Sequence, residues 1–308
     1  MGYFEPNATV LAITGRHAER YLQARLTNDV RLASETASLL AAALTPQGKT
    51  EAFGRIIKTI GGVFYFVVEG GDPSAIIGAI ARFKVAEQVD IKAVDSLGVL
   101  HLYGAEAESL LSSQWGSALP CHDKGAALIA HETPMRALLR CQRVTVRGID
   151  VIAPADELTQ LQSLLKKEGV SQLSSDEREA LRLEAHLPAF PHEVNDTVIL
   201  SEAGLIEAVS FTKGCYTGQE VIAKIDALGK APRRLISLSI QGKHLIESAT
   251  PLTAHGKTIG KVTSAAFHPK LDRTLVFALI KNDGAAYPEG ITAGELSLSV
   301  EIVETPRG

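Results

Sequence analysis

Aromatic side chains make up only 5% of the 308 residues, and tryptophan occurs once. Few rings are therefore available to stack on a flat ligand. Cysteine is also sparse, with three residues at positions 121, 141 and 215. They form no CxxC pair and no Cys-His cluster, which argues against a self-contained zinc site. Three scattered thiols cannot by themselves supply the four usual ligands of an iron–sulfur cluster. The odd number fits a reducing compartment better than a disulfide framework. Excess positive charge is missing too. A formal net charge of −4 opposes a broad nucleic-acid footprint, which needs a basic face, although a local patch stays compatible with it. Long apolar runs are absent, since Val63–Val68 falls far short of the roughly 20 residues of a membrane span. The start, Met1 to Pro6, has neither the basic residues nor the apolar run of a signal peptide. The expected setting is the cytoplasm, with no membrane and no direct nucleic-acid contact.

The composition is otherwise that of a globular protein, with 45% hydrophobic and 21% charged residues, and the length suits two or three domains. Thr9–Thr14, Leu39–Leu44, Phe53–Ile60, Val63–Glu69 and Val89–Val94 read as strands. One helix is expected over 16–27, where Ala18, Tyr21, Leu22 and Leu26 share a stripe, and another near 74–87. A second set repeats the theme. Strands are expected at Gly98–Tyr103, Ala126–Ala130, Arg136–Thr145 and Gly148–Ala153, and helices at Ala105–Gln114 and from Pro154 to about Glu168. Ser174 and Glu177, three apart, form a capping box opening a helix that carries Arg182 and Glu184. Beyond Pro232 only short alternating strands remain, at Leu235–Ile240, Lys257–Thr263, Thr274–Ile280 and Glu295–Val303, which points to a small β-barrel. The fold class is α+β, divided as 1–95, 96–232 and 233–308, with the first two units free to interleave.

The most informative segment is Lys213-Gly214-Cys215-Tyr216-Thr217-Gly218-Gln219-Glu220. Its two glycines permit a sharp turn and close approach to a ligand. A cationic neighbour raises a thiol's thiolate fraction, so Lys213 and Cys215 form a sensible reactive pair. Tyr216 can stack on a flat ring, and Gln219 and Glu220 can bond its amide-like edge. The alternative is a tight turn around a small cysteine, with these last residues opening a helix. Glu184 can accept from the N–H groups of a ligand, or can be a solvated helix residue. Arg55 on its strand can meet an anionic tail or pair at the surface, while Asn28 and Asp29 can bind or simply cap a turn. The nine histidines show no metal-ligand spacing, and His186, His192 and His255 read as turn or surface residues.

Together with Ile13-Thr14-Gly15, Leu26-Thr27-Asn28-Asp29-Val30, Thr45-Pro46-Gln47-Gly48-Lys49, Leu181-Arg182-Leu183-Glu184-Ala185 and Gly256–Ser264, the octet resembles the YgfZ family of folate-binding proteins, related to the glycine-cleavage T-protein, an aminomethyltransferase. The resemblance covers nearly the whole chain. It implies two α+β, ferredoxin-like units and a C-terminal barrel around a central opening that takes tetrahydrofolate or a derivative. It also implies support for synthesis or repair of iron–sulfur clusters in client proteins, with tRNA modification as an indirect consequence. Cys215, poised by Lys213, would act as a nucleophile or transient ligand. Glu184, Tyr216, Gln219, Glu220, Arg55 and Asn28 would face the folate. Two departures stand out. Where the aminomethyltransferases carry a catalytic aspartate, this chain has Ala52 and Phe53, and Glu51 is expected on the opposite strand face. Ala8 and Arg178 stand where some YgfZ members place tryptophans. A working aminomethyltransferase is therefore not expected, since aminomethyl transfer needs a positioned acid. A folate-dependent one-carbon transferase or demethylase, and a non-catalytic adaptor, are the rival readings.

Overall fold

The computed structural model describes residues 1–115, 125–130, 135–282 and 289–301. The chain opens with a strand the sequence reading omits, β1 (Gly2–Phe4), then runs β2 (Ala8–Thr14), α1 (Ala18–Arg25), β3 (Leu39–Leu44), β4 (Thr50–Lys58), β5 (Phe64–Glu69), α2 (Pro73–Ala81) and β6 (Asp90–Ala93). Strands β2 to β6 form an antiparallel sheet in the order β3-β4-β5-β2-β6. Its outer face is covered by α1 and α2 through Leu22, Ile56, Phe66 and Ile80. Fully burying each such side chain stabilises the unit by about 1.5–3 kcal/mol. Helix α2 is shorter than expected. The Glu87 carboxylate accepts the Val85 and Ala86 amides, so these residues form a turn instead.

The second unit contains β7 (Leu97–Tyr103), α3 (Ala105–Trp115), β8 (Ala126–Ala130), β9 (Arg136–Gln142), β10 (Arg147–Pro154), α4 (Ala155–Lys167), β11 (Ser171–Gln172) and α5 (Ser175–Glu184). Its sheet has the order β11-β1-β7-β10-β9-β8, so the first residues of the chain are built into it. Pro154 is the last residue of β10 and the N-cap of α4 rather than its first helical residue. The capping box of α5 is formed, with the Ser174 hydroxyl accepting from the Glu177 amide. The two sheets meet through Val10, Ile57 and Val67 on one side and Val99, Leu139 and Ile152 on the other.

After the octet, α6 (Gln219–Leu228) leads to β12 (Arg233–Gln241), β13 (Pro251–Ala254), β14 (Lys257–His268), β15 (Arg273–Lys281), β16 (Ile291–Ala293) and β17 (Leu296–Glu301). These six close into a barrel in the order β12-β15-β14-β13-β16-β17. Strands β13 and β16, of four and three residues, are too short for alternation to reveal them. Helix α5 packs on β14 and β15, which joins the barrel to the two sheets.

Candidate functional site

The octet is seated on the end of α1. The Ser210 amide donates to Thr27 O at 3.0 Å and the Thr217 amide to Ala24 O at 3.1 Å. Between these anchors, Lys213 is turned inward. Its Nζ donates to Leu26 O and to Asn28 O, each at 2.7 Å, and lies 5.2 Å from the centre of the Tyr216 ring. Burial pulls its pKa down to about 8. Cys215 is exposed, so the ammonium serves two backbone carbonyls while the thiol faces outward. Tyr216 is buried among Leu40, Leu44 and Phe53, and burial pushes its hydroxyl up to about 12. Gly218 has φ +83°, and a Cβ there would meet Thr45 O at 2.6 Å. Gly214 has neither constraint, so only one of the two glycines is required by the backbone. Gln219 and Glu220 open α6, Glu220 in solvent.

The other sequence candidates are dispersed. Asn28 Nδ2 donates to Leu40 O and Glu207 O, and its Oδ1 accepts the Asp29 amide, so it clasps three segments. Glu51 receives Arg25 at 2.7 Å and Arg82 at 2.6 Å, both from the helix-covered side. Ala52 and Phe53 are buried in the two apolar cores on either side of β4. Arg55 lies two residues beyond Phe53, on the inner face that Ile57 also shares. It is partly buried, and among the described residues its guanidinium has no hydrogen-bond or ion-pair partner. Its charge is felt at Cys141 of the other sheet. Glu184 ends α5 and accepts from Thr145 Oγ1 at 3.0 Å and His268 Nε2 at 3.1 Å.

Where the two sheets, α5 and the 189–192 turn converge, there is a cleft of about 160 Å³. Phe4 and Phe190 give it flat walls, while Glu69, Arg143, Arg178 and Glu179 give it charge of both signs. Arg143 is held by Asp150 through Nε and Nη2 at 2.8 Å each, and by Glu69 at 3.0 Å. Arg182 is gripped by Glu179 at 2.6 Å and by the buried Glu193 at 2.8 Å. The Ser264 hydroxyl of the barrel donates to Glu193 at 2.6 Å, which ties the barrel to α5 through Arg182 beside this cleft. Arg178 is less constrained, lying 5.6 Å from the Phe4 ring and donating once, to Glu5 O at 3.3 Å. None of the octet residues lines the cleft.

Behind Arg143 lies a grouping invisible in the sequence, because it comes from three strands. His101, Cys141 and Asp150 are all buried, with ligand-type atoms within 4.8 Å of one another. Asp150 Oδ1 lies 2.8 Å from His101 Nδ1. Burial raises the Asp150 carboxyl, but Arg143 and His101 overcome this and leave it well below the ordinary range. Burial pushes the Cys141 thiol up to about 12 and holds His101 below its usual value. A neutral thiol and an aspartate already engaged by a guanidinium make a brace across three strands of the second sheet, poorly suited to a cation. Cys121 lies outside the described residues.

This assembly is that of known proteins. The GCVT N-terminal domain family matches residues 7–213, and the glycine cleavage T-protein C-terminal barrel domain matches residues 233–306. The chain belongs to the glycine-cleavage T-protein family. It superposes on the crystal structure of glycine cleavage system aminomethyltransferase T from Bartonella henselae with a TM-score of 0.83 at 18% identity, over 98% of this chain and 85% of that one. An aminomethyltransferase of Chromobacterium violaceum is 24% identical over 97% of this chain and 82% of its own length. Proteins named tRNA-modifying protein YgfZ are similar as well. The one from an Enterobacter species is 29% identical over 88% of this chain and 82% of its own, and that of Klebsiella pneumoniae 28% over 78% and 72%. The expected T-protein-like fold and YgfZ-type kinship therefore hold. Among the described residues no helix is long and apolar enough to cross a membrane.

Proposed function

We infer that this protein binds a reduced folate in the cleft and supports synthesis or repair of iron–sulfur clusters in client enzymes, with tRNA modification depending on it indirectly. The observation that carries the ligand is Arg55. A partly buried guanidinium without a partner is unfavourable, and an anion completes it. The donor set fits a folate in kind. Phe4 and Phe190 would flank the flat ring, Glu69 and Glu179 would accept its N–H edge, and Arg178 would meet its carboxylate tail, with Arg55 on β4, outside the cleft lining, as a second cation for that tail. A volume of about 160 Å³ suits the bicyclic ring, leaving the tail outside it. Tetrahydrofolate, when bound, supplies a one-carbon carrier.

Aminomethyl transfer itself is disfavoured, because Ala52 and Phe53 are apolar and Glu51 is neutralised by two arginines on the helix side. Cys215 is available to a client, since its thiol is exposed on an anchored loop. In this reading it acts as a nucleophile or transient ligand toward that client. The test is the activity of a cluster-dependent enzyme in cells lacking the protein, complemented with wild type or Cys215→Ser. Wild type should restore activity and the serine variant should not. Full restoration by Cys215→Ser would favour the adaptor reading. Turnover in a reconstituted glycine-cleavage assay at the rate of a T-protein would favour the one-carbon transferase.

A further inference from the structure

Three cations without partners gather where α1 meets the turn after α2. Arg16 precedes α1, Arg20 lies in it, and Lys84 follows α2. All three are exposed, and among the described residues none has an ion-pair or hydrogen-bond partner. The acids nearby are already engaged. Glu19 is held by Lys58, Glu51 by Arg25 and Arg82, and Asp90 by Lys92. Glu87 accepts the Val85 and Ala86 amides. Two apolar side chains are interleaved with the cations. Phe83 and Val85 flank Lys84 in the chain and are 42% and 92% exposed.

The backbone beneath this surface is tightly fixed. Gly15 has φ +112°, and a Cβ there would meet Gln88 O at 2.2 Å, so the turn before α1 is pressed against the turn after α2. The His17 amide donates to Gln88 O at 3.3 Å, and its Nδ1 accepts the Gln88 amide at 3.0 Å. Further along α1, the Tyr21 hydroxyl donates to Ile80 O at 2.7 Å and Arg25 Nη2 to Ala79 O at 2.9 Å. Phe83 lies against Arg25, whose guanidinium carbon is 5.4 Å from the ring centre. The exposed Ala24 next to Arg25 accepts the Thr217 amide of the octet. The cations therefore begin at one end of α1, and the loop carrying the exposed Cys215 sits on the other, about 12 Å along the helix.

Charge then narrows the class of partner. Cations interleaved with apolar side chains complement an anionic partner that brings apolar groups of its own. The chain as a whole carries −4, which opposes a long polyanion or an anionic bilayer whose charge extends past the patch. A short acidic segment meets only the patch. We propose that this surface docks an acidic segment of a partner protein, one bearing leucine or phenylalanine, and holds that partner beside Cys215. Equating the partner with the iron–sulfur client rests on the function inferred above, whereas the docking itself does not.

The probe is a fluorescein-labelled peptide of eight alternating glutamate and leucine residues, titrated with the full chain and read by fluorescence anisotropy. It should bind, and raising salt from about 0.05 to 0.5 M should weaken it roughly tenfold or more. A lysine–leucine peptide of the same length should not bind. Arg20→Glu and Lys84→Glu, both at exposed positions, should each weaken binding roughly fivefold or more, and Val85→Ser should weaken it measurably. Cys215→Ser should leave the peptide affinity unchanged. The proposal is overturned if the acidic peptide does not bind or if either charge reversal keeps full affinity. It is equally overturned if oligouridine RNA of the same length, or vesicles of about one-third phosphatidylserine, bind the wild type more tightly than the peptide does. In the complementation assay the Arg20→Glu, Lys84→Glu double variant should lose client activity. Full restoration by it, with none by Cys215→Ser, would overturn the docking and leave the functional reading standing. Full restoration by Cys215→Ser, with peptide binding as expected, would do the reverse.

Discussion

Replacing Lys213 by methionine keeps the stem and removes the ammonium. Two charge-assisted hydrogen bonds, to Leu26 O and Asn28 O, are lost, each worth about 1.5–3 kcal/mol. Against this, burial lowers the lysine from 10.5 to about 8, which offsets about 3 kcal/mol of that stabilisation. The expected net loss is about 2 kcal/mol. For a chain of 308 residues that lowers Tm by about 3 °C. The pH dependence has a definite sign. The folded pKa lies below the unfolded one, so the unfolded chain holds the extra proton between about pH 8 and 10.5, and stability rises with pH across that window. The margin of wild type over Lys213→Met should therefore widen from pH 7.5 to 9.5, by at most about 1.4 kcal/mol per unit. Calorimetric melts of both proteins, with iodoacetamide labelling of Cys215 in parallel, provide the assay. An unchanged Tm together with tenfold slower labelling would refute the argument, and would show the lysine serving the thiol instead of the loop.

Gly218→Ala should destabilise by about 2–4 kcal/mol, from left-handed backbone and overlap with Thr45 O, whereas Gly214→Ala should stay within about 0.5 kcal/mol in denaturant titrations. Arg182→Met leaves Glu193 buried without its cation and should cost about 3–5 kcal/mol in urea unfolding. In native protein Cys215 should alkylate while Cys141 stays protected until denaturant is added, which mass spectrometry of the labelled peptides will show.

Strand Leu39–Leu44 matches its sequence reading residue for residue, because an apolar run bounded by turn residues is a local signal. The Ser174–Glu177 capping box is equally local. Strand β1 was not legible, since three residues carry no periodicity and their partners lie about a hundred residues away in β7. The site was less legible than the fold. Lys213 and Cys215 are two apart in the chain, yet a loop anchored at Thr27 and Ala24 turns one inward and leaves the other in solvent. His101, Cys141 and Asp150 meet only through the β7-β10-β9 register. Glu193 follows a turn with no motif of its own, although it joins α5 to the barrel through Arg182 and Ser264.

Equilibrium titration with tetrahydrofolate tests most directly whether a folate occupies the inner cleft. Wild type should bind, and Arg55→Gln and Arg178→Gln should each weaken binding by roughly tenfold or more, the loss of one charge-assisted contact. Both variants should keep the wild-type Tm within a few degrees, since among the described residues Arg55 has no partner to lose and Arg178 makes one hydrogen bond. No binding by the wild type, or binding that both variants retain in full, would contradict it.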